Sequence, residues 1–176
     1  MERERLIEML RMAGCSEDVV SHCIAVERLA LRIAGKIARN GHRVDERLVG
    51  MGALVHDIGR SETHGIDHGV RGAEILRRMG LESLSVFAER HIGAGIPAEE
   101  AKGLGLPERD YLPRTIEEKI VAYADKLVEG KKAVPYRNVL ARFRREFGPD
   151  HPAVRRLELL HREMEEMMSG GRSPQP

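Results

Sequence analysis

His56 and Asp57 stand side by side in the run Ala53-Leu54-Val55-His56-Asp57-Ile58-Gly59-Arg60. An imidazole followed by a carboxylate offers one nitrogen and one anionic oxygen to a divalent cation. Four further donors lie along the chain: His22 upstream, then His68, His91 and Asp125. Taken singly, each has an ordinary reading. A lone helical histidine is usually a satisfied or half-exposed side chain, and a helical aspartate usually pairs with a nearby Lys or Arg. Taken together, the six donors can surround one or two metals. Mixed nitrogen and oxygen sets suit Fe, Mn, Ni, Zn or Mg. The expectation is a metal-dependent hydrolase.

Helices must position these donors. Ser16 can N-cap a long helix whose stripe of Val19, Cys23, Val26, Ala30, Ile33 and Ile37 recurs at fours and threes. Asn40-Gly41 ends it, and His22 flanks the stripe near the core. A short helix over residues 2–13, stopped by Gly14, precedes it. A helix over 45–58, with Leu48, Met51, Leu54 and Val55 inward, carries the doublet at its C-terminal end. A bare carboxylate there opposes the helix dipole, and a bound cation offsets that cost. After a polar loop over 59–67, Asp67 is expected to N-cap a helix over 68–79, and another helix spans 81–91.

Residues 93–113 are rich in Gly and Pro, with room for a short helix near 98–102. Such a stretch suggests a lid or substrate loop. Thr115-Ile116-Glu117-Glu118 has capping-box form and opens a helix through Val128. This helix carries Asp125, which is expensive to bury unless it meets a cation. Helices over 136–147 and 152–168 follow, before a Gly/Ser/Pro tail over 169–176 expected to be disordered. No alternating strand run or linker is visible. The expectation is an all-α fold in one domain over 1–168, with a motif core over 16–130 and C-terminal helices over 135–168.

Composition narrows the function. A net charge of +1 gives no global steering toward polyanions, so any phosphate affinity is local. Aromatics at 3% without Trp disfavour a base-stacking nucleic-acid surface. Cys15 and Cys23 are too few for a disulfide scaffold or a thiolate zinc site, and read as small buried side chains. No run approaches the roughly 18 apolar residues of a membrane span, and the N-terminus lacks a secretory core. The expected setting is cytoplasmic.

The order His22, His56-Asp57, Asp125 resembles the H…HD…D signature of HD-domain phosphohydrolases, over roughly residues 16–130. His-Asp-Ile-Gly is a common form of that motif. His68-Gly69-Val70-Arg71-Gly72-Ala73 resembles the His-Gly-x-x-Gly-Ala element of dinuclear members, and Glu89-Arg90-His91 their later histidine. Glu118 to Asp125 resembles the segment that supplies the last carboxylate. The pattern is similar to that of bacterial HD-domain diadenosine tetraphosphate hydrolases and of archaeal HDIG proteins. It departs from HD-GYP phosphodiesterases, because the GYP element is absent and Ile92 follows His91. The resemblance implies an all-α HD-domain helical bundle with the metal site between helices. It implies one metal on His22, His56, Asp57 and Asp125, with Asp57 bridging to a second on His68 and His91.

The implied activity is hydrolysis of a phosphate ester or anhydride of a nucleotide or dinucleotide by a metal-activated hydroxide. Paired metals can lower the pKa of a shared water and clamp attacking and leaving oxygens. Asp57 and Arg60 are the expected catalytic pair, and the Arg60 fork can hold a phosphate. His64, Arg90 and Lys126 are further candidates for substrate contact, although Lys126, one residue after Asp125, is expected to point elsewhere. Asp67 reads as a cap before a catalytic acid, and His42, His151 and His161 as surface residues. Arg142, Arg144 and Arg145 read as a solvated face. The expected partner is a small phosphate compound, not nucleic acid or membrane, and a homo-oligomer is compatible. Two alternatives belong to other classes: a non-hydrolytic nucleotide-binding regulatory module, and a di-iron oxygenase.

Overall fold

A computed structural model of the protein describes residues 2–170. The chain runs α1 (Glu2–Met12), α2 (Glu17–Arg39), α3 (Glu46–Val55), a 3-10 turn (Ile58–Ser61), α4 (His68–Arg78), α5 (Glu82–Arg90), α6 (Ala98–Gly103) and α7 (Ile116–Lys126). A two-stranded antiparallel ladder, β1 (Val128–Glu129) with β2 (Lys132–Ala133), leads into α8 (Tyr136–Phe147) and α9 (Pro152–Ser169). The fold is the expected all-α bundle; the ladder is an addition too short to leave an alternating pattern.

Helix α2 is the axis, packed against α1, α3, α7 and α9. Its predicted stripe is buried from Val19 to Ile37. Ser16 accepts from the Val19 N–H and Asp45 from the Leu48 N–H, so α2 and α3 start where their caps dictate. In α3 and α7, which pack on α2, the residues Val49, Ala53, Leu54, Ile120, Val121 and Ala124 are all buried. Leu48 and Met51, expected inward, are only partly buried; Val49 and Ala53 hold the α3 core face instead.

Several boundaries differ from expectation for local reasons. Helix α3 ends at Val55, so Asp57, with φ −103° and ψ 13°, lies beyond it. The apolar Ile58 had extended the apparent periodicity. Asp67 occupies the N-cap position of α4, yet its carboxylate accepts from the Thr63 hydroxyl at 3.0 Å rather than capping. Thr115 caps α7, but Glu118 reaches the Arg114 N–H at 2.8 Å in place of the reciprocal capping-box bond. Segment 93–113 is not structureless: Tyr111 and Ile96 form an antiparallel bridge and pack with Val70, Ala101 and Leu106 in a second small core. His161 stacks on Tyr136 with ring centroids 3.4 Å apart and meets the Tyr123 hydroxyl at 2.6 Å, so it is a packing residue, not a surface one. Helix α9 takes in Ser169 with Gly170 as its left-handed cap; the rest of the expected tail, 171–176, lies outside the described residues.

Candidate metal centre

Five of the six donors lie on or cap five helices, Asp57 lies at the start of the 3-10 turn, and all six converge. His22 comes from the N-terminal part of α2, Asp125 from the last turn of α7, and His68 from the first position of α4. His56 and His91 are the C-cap residues of α3 and α5. A C-cap position has a use here, because carbonyls in the last turn lack helical partners. Each ring donates Nδ1–H to the carbonyl three residues back: His56 to Ala53 at 2.7 Å, His91 to Ala88 at 2.8 Å. His68 does the same to Gly65 at 2.7 Å, and His22 donates to Gly130 at 3.0 Å. All four rings are thereby held with Nε2 directed at the centre, the arrangement of metal-ligating imidazoles.

The chain reaches this convergence through close backbone contact. A Cβ on Gly59 would stand 1.9 Å from the His68 carbonyl oxygen and 2.6 Å from the Gly72 nitrogen. A Cβ on Gly72 would stand 3.0 Å from the Ala88 Cβ. The glycine of His-Asp-Ile-Gly and that of His-Gly-x-x-Gly-Ala are therefore one device, which seats α4 on the 3-10 turn and on α5.

Distances group the donors into two overlapping sets that share His56. The ligand atoms of His22, His56 and Asp125 lie within 4.8 Å of one another, as do those of His56, Asp57 and His91. Asp57 is the seam. Its Oδ1 is 3.2 Å from His68 Nε2 and 3.4 Å from His91 Nε2, while its Oδ2 is 3.9 Å from both His22 and His56. Asp125 Oδ1 is 3.0 Å from His22 Nε2 and 3.4 Å from His56 Nε2. Two ligands held at about 2.1 Å from one ion stand about 3.0–3.4 Å apart, so these spacings fit a metal.

The donor chemistry agrees. With Nδ1 protonated toward a carbonyl, each Nε2 carries a lone pair unless the ring becomes an imidazolium. Ring centroids are 4.9–5.5 Å apart, and imidazoliums at that spacing repel. His56 Nε2 and Asp57 Oδ1 are buried without a hydrogen-bond partner among the described residues, a costly arrangement that a cation relieves. Burial pushes the His91 imidazole down to about 4, favouring its neutral, ligating form. Burial opposes the charge of Asp57, but the His56, His68 and His91 imidazoles outweigh it and hold the carboxyl well below the usual range. At Asp125 burial is likewise overcome, by the Lys126 ammonium with His22 and His56.

The other candidates divide. Arg60 Nε donates to Asp57 Oδ2 at 2.7 Å. Lys126 does not point elsewhere: its Nζ is 2.6 Å from Asp125 Oδ2, at the rim of the cluster. Arg90 engages Glu118 at 2.9 Å and ties α5 to α7. His64 is exposed in the loop before α4. Arg142 and Arg144 pair with Glu129 and Glu158. Sequence reasoning missed the wall of Phe143, Phe147 and His151 near Lys126. Helical spacing marks Phe143 and Phe147 as neighbours but gives no sign of the cavity they face.

Comparison with known proteins follows the same helices. The HD domain matches residues 19–130. The chain is 52% identical over 169 residues to Uncharacterized protein MJ0778 of Methanocaldococcus jannaschii, covering 96% of this chain and 99% of that one. It is 40% identical over 164 residues to the tRNA (cytidine(56)-2'-O)-methyltransferase of Picrophilus torridus, covering 93% of this chain but only 46% of that protein's length. Among solved structures, the HD domain of the L. monocytogenes phosphodiesterase PgpH superposes with a TM-score of 0.55 at 18% identity, over 93% of this chain and 95% of that one. That likeness is one of fold. The sequence match runs from the start of α2 past the end of α7, the helices that enclose the donor cluster, and the chain belongs to the HD-domain family.

Proposed function

We propose that the protein is a metal-dependent phosphohydrolase that cleaves a phosphate ester or anhydride of a nucleotide or dinucleotide. The observation that carries this is the division of one buried carboxylate, Asp57, between two imidazole sets, with Arg60 on its outer oxygen. Membership of the HD-domain family supports phosphohydrolase chemistry in general. A nucleotide-like substrate is supported more distantly by a relative named for a tRNA-modifying activity.

In this reading His22, His56 and Asp125 would hold one divalent ion and His68 and His91 a second, with the Asp57 carboxylate available to both. Bound there, the ions would supply an activated water and neutralise phosphoryl charge. The residues do the rest. Four backbone carbonyls hold the imidazoles in the ligating tautomer. Arg60 fixes the Asp57 carboxylate through Nε, and its terminal nitrogens reach for a phosphate oxygen. Lys126 at the rim attracts the phosphate and balances Asp125. A substrate like that of the diadenosine tetraphosphate hydrolases is one member of this class.

The test is a screen of nucleoside monophosphates, diadenosine polyphosphates and cyclic nucleotides with Mn, Fe, Ni, Zn and Mg, alongside Asp57→Ala. Turnover that needs metal and disappears in Asp57→Ala is expected. Full metal-dependent turnover by Asp57→Ala would reject the assignment. Saturable nucleotide binding without turnover under every metal would favour a regulatory module.

A further inference from the structure

A cavity of about 580 Å3 opens between the segment around Gly93–Leu104 and helices α8 and α9, a size usual for small-molecule sites. The donors themselves do not line it, but it reaches their chain neighbours, and Lys126 Nζ is 2.6 Å from Asp125 Oδ2. Ile92 and Lys126, which follow His91 and Asp125 in the chain, both line it. Its other wall is aromatic. Phe143 and Phe147 lie one turn apart on α8 with ring centroids 5.5 Å apart, and His151 stacks on Phe147 at 5.3 Å. The chain has three Phe, and two of them are here. Phe147 is 43% and Leu104 48% exposed, so both present apolar surface without cover.

The cavity is preformed. Arg156 of α9 donates to the Gly95 carbonyl at 3.0 Å and grips both Glu100 oxygens at 2.8 and 2.6 Å. That clamp fixes the loop wall against α9 and neutralises a carboxylate that would repel a phosphate. His151 Nδ1 accepts from the Ala153 N–H at 3.2 Å, which leaves Nε2–H as a donor in the lining. The lining thus runs from the Phe147 face and the His151 donor, with Arg142 and Glu146 beside them, to the Lys126 ammonium beside Asp125. Helices α8 and α9 lie beyond the span matched by the HD domain, so this wall is not part of the shared family core.

We propose that this cavity is a nucleobase site, in which a purine or pyrimidine ring stacks on Phe147, with His151 Nε2–H donating to a base acceptor, while the attached phosphate lies at Lys126 and the donor cluster. Placement of the phosphate rests on the phosphohydrolase reading; the base site itself does not. An aromatic ring offers stacking to any base, and the His151 Nε2–H gives a base acceptor a partner that an acyl tail lacks.

The chain has no Trp, so Phe147→Trp creates a single indole reporter in the cavity wall. Titration with adenosine, guanosine, cytidine and uridine, which carry no phosphate, reads the base site separately from catalysis. Saturable quenching by at least one nucleoside is expected, unchanged by EDTA. Calorimetry on the unaltered protein should give the same affinity, and Phe147→Ala should weaken it at least tenfold with the helical circular dichroism intact. No binding of any nucleoside at millimolar concentration, or equal binding by Phe147→Ala, would overturn the proposal. So would quenching by dodecanoate but by no nucleoside, which would assign the cavity to an acyl chain. Phosphate-ester turnover without nucleoside binding removes the base site alone, and nucleoside binding without turnover removes the hydrolase reading alone.

Discussion

His68 and His91 turn their Nε2 atoms toward each other at 3.0 Å, while the Nδ1 of each donates to a backbone carbonyl. Two lone pairs at that distance repel unless a cation or one shared proton lies between them. Asp57 Oδ1, at 3.2 and 3.4 Å, completes a triangle of donors. The intact protein is expected to bind two equivalents of divalent metal, His91→Ala one, and Asp57→Ala fewer than one, by elemental analysis after gel filtration. Each ion at a hundred times its Kd adds about 2.7 kcal/mol, so chelating both should lower the Tm by roughly 11–22 °C for a chain of this size. Two equivalents retained by His91→Ala would sink the two-ion assignment.

Arg60 acts on the centre through Asp57, to which its Nε donates across the 3-10 turn. Removing such an outer partner typically costs about 10–100-fold in metal affinity or activity. Arg60→Ala should therefore weaken metal binding and also raise KM, because its terminal nitrogens no longer meet phosphate. Arg60→Lys should recover part of the metal affinity but less of the KM, since an ammonium balances charge without a planar fork. Unchanged metal affinity with raised KM would confine Arg60 to substrate contact.

Gly59 tests whether the backbone contact builds the centre. A side chain there meets the His68 carbonyl at 1.9 Å, and no rotamer can relieve a clash with backbone. Gly59→Ala should destabilise the protein by about 1–3 kcal/mol or more and displace α4, so that the ion on His68 and His91 is lost before the other. Gly50→Ala is the comparison: its Cβ meets only Leu31 at 3.4 Å, ordinary contact. If both variants kept full metal content and stability, the close approach would have no role in the site.

Much of this was readable from the residues because local rules decide it. The α2 stripe and the Ser16 and Asp45 caps place two helices, and those helices bring His22 and His56 to the same end. The donor cluster was readable because its donors are His and Asp in a spaced order, and an aspartate is rarely buried without a partner. What local rules could not show was set by contacts between distant segments. Lys126 was expected to diverge from Asp125, yet a flexible stem lets its ammonium fold back onto the carboxylate. Arg90 was a candidate for phosphate contact, but Glu118, 28 positions later, takes it. The aromatic wall exists only because α8 returns against the 93–104 segment, a juxtaposition that no spacing encodes.

Cys15 provides a pH test on a residue outside the six donors, with burial as the largest cause of its shift and Cys23 and Asp57 adding to it. Its Sγ lies 3.6 Å from the Ile58 carbonyl, and burial pushes the thiol up to about 12. In the unfolded chain a thiol ionises near 8.5. The folded value is the raised one, so the contribution to stability is fully present below about pH 8.5 and is lost as pH climbs toward 12. Urea midpoints of the intact protein should therefore fall between pH 8.5 and 10.5 more steeply than those of Cys15→Ala, even though the variant is less stable at pH 7. A thiolate-selective reagent at pH 8 should leave Cys15 unmodified in the native protein and label it promptly in urea. Rapid labelling of native protein, or equal slopes for the two proteins, would show that the thiol is not held protonated by its burial.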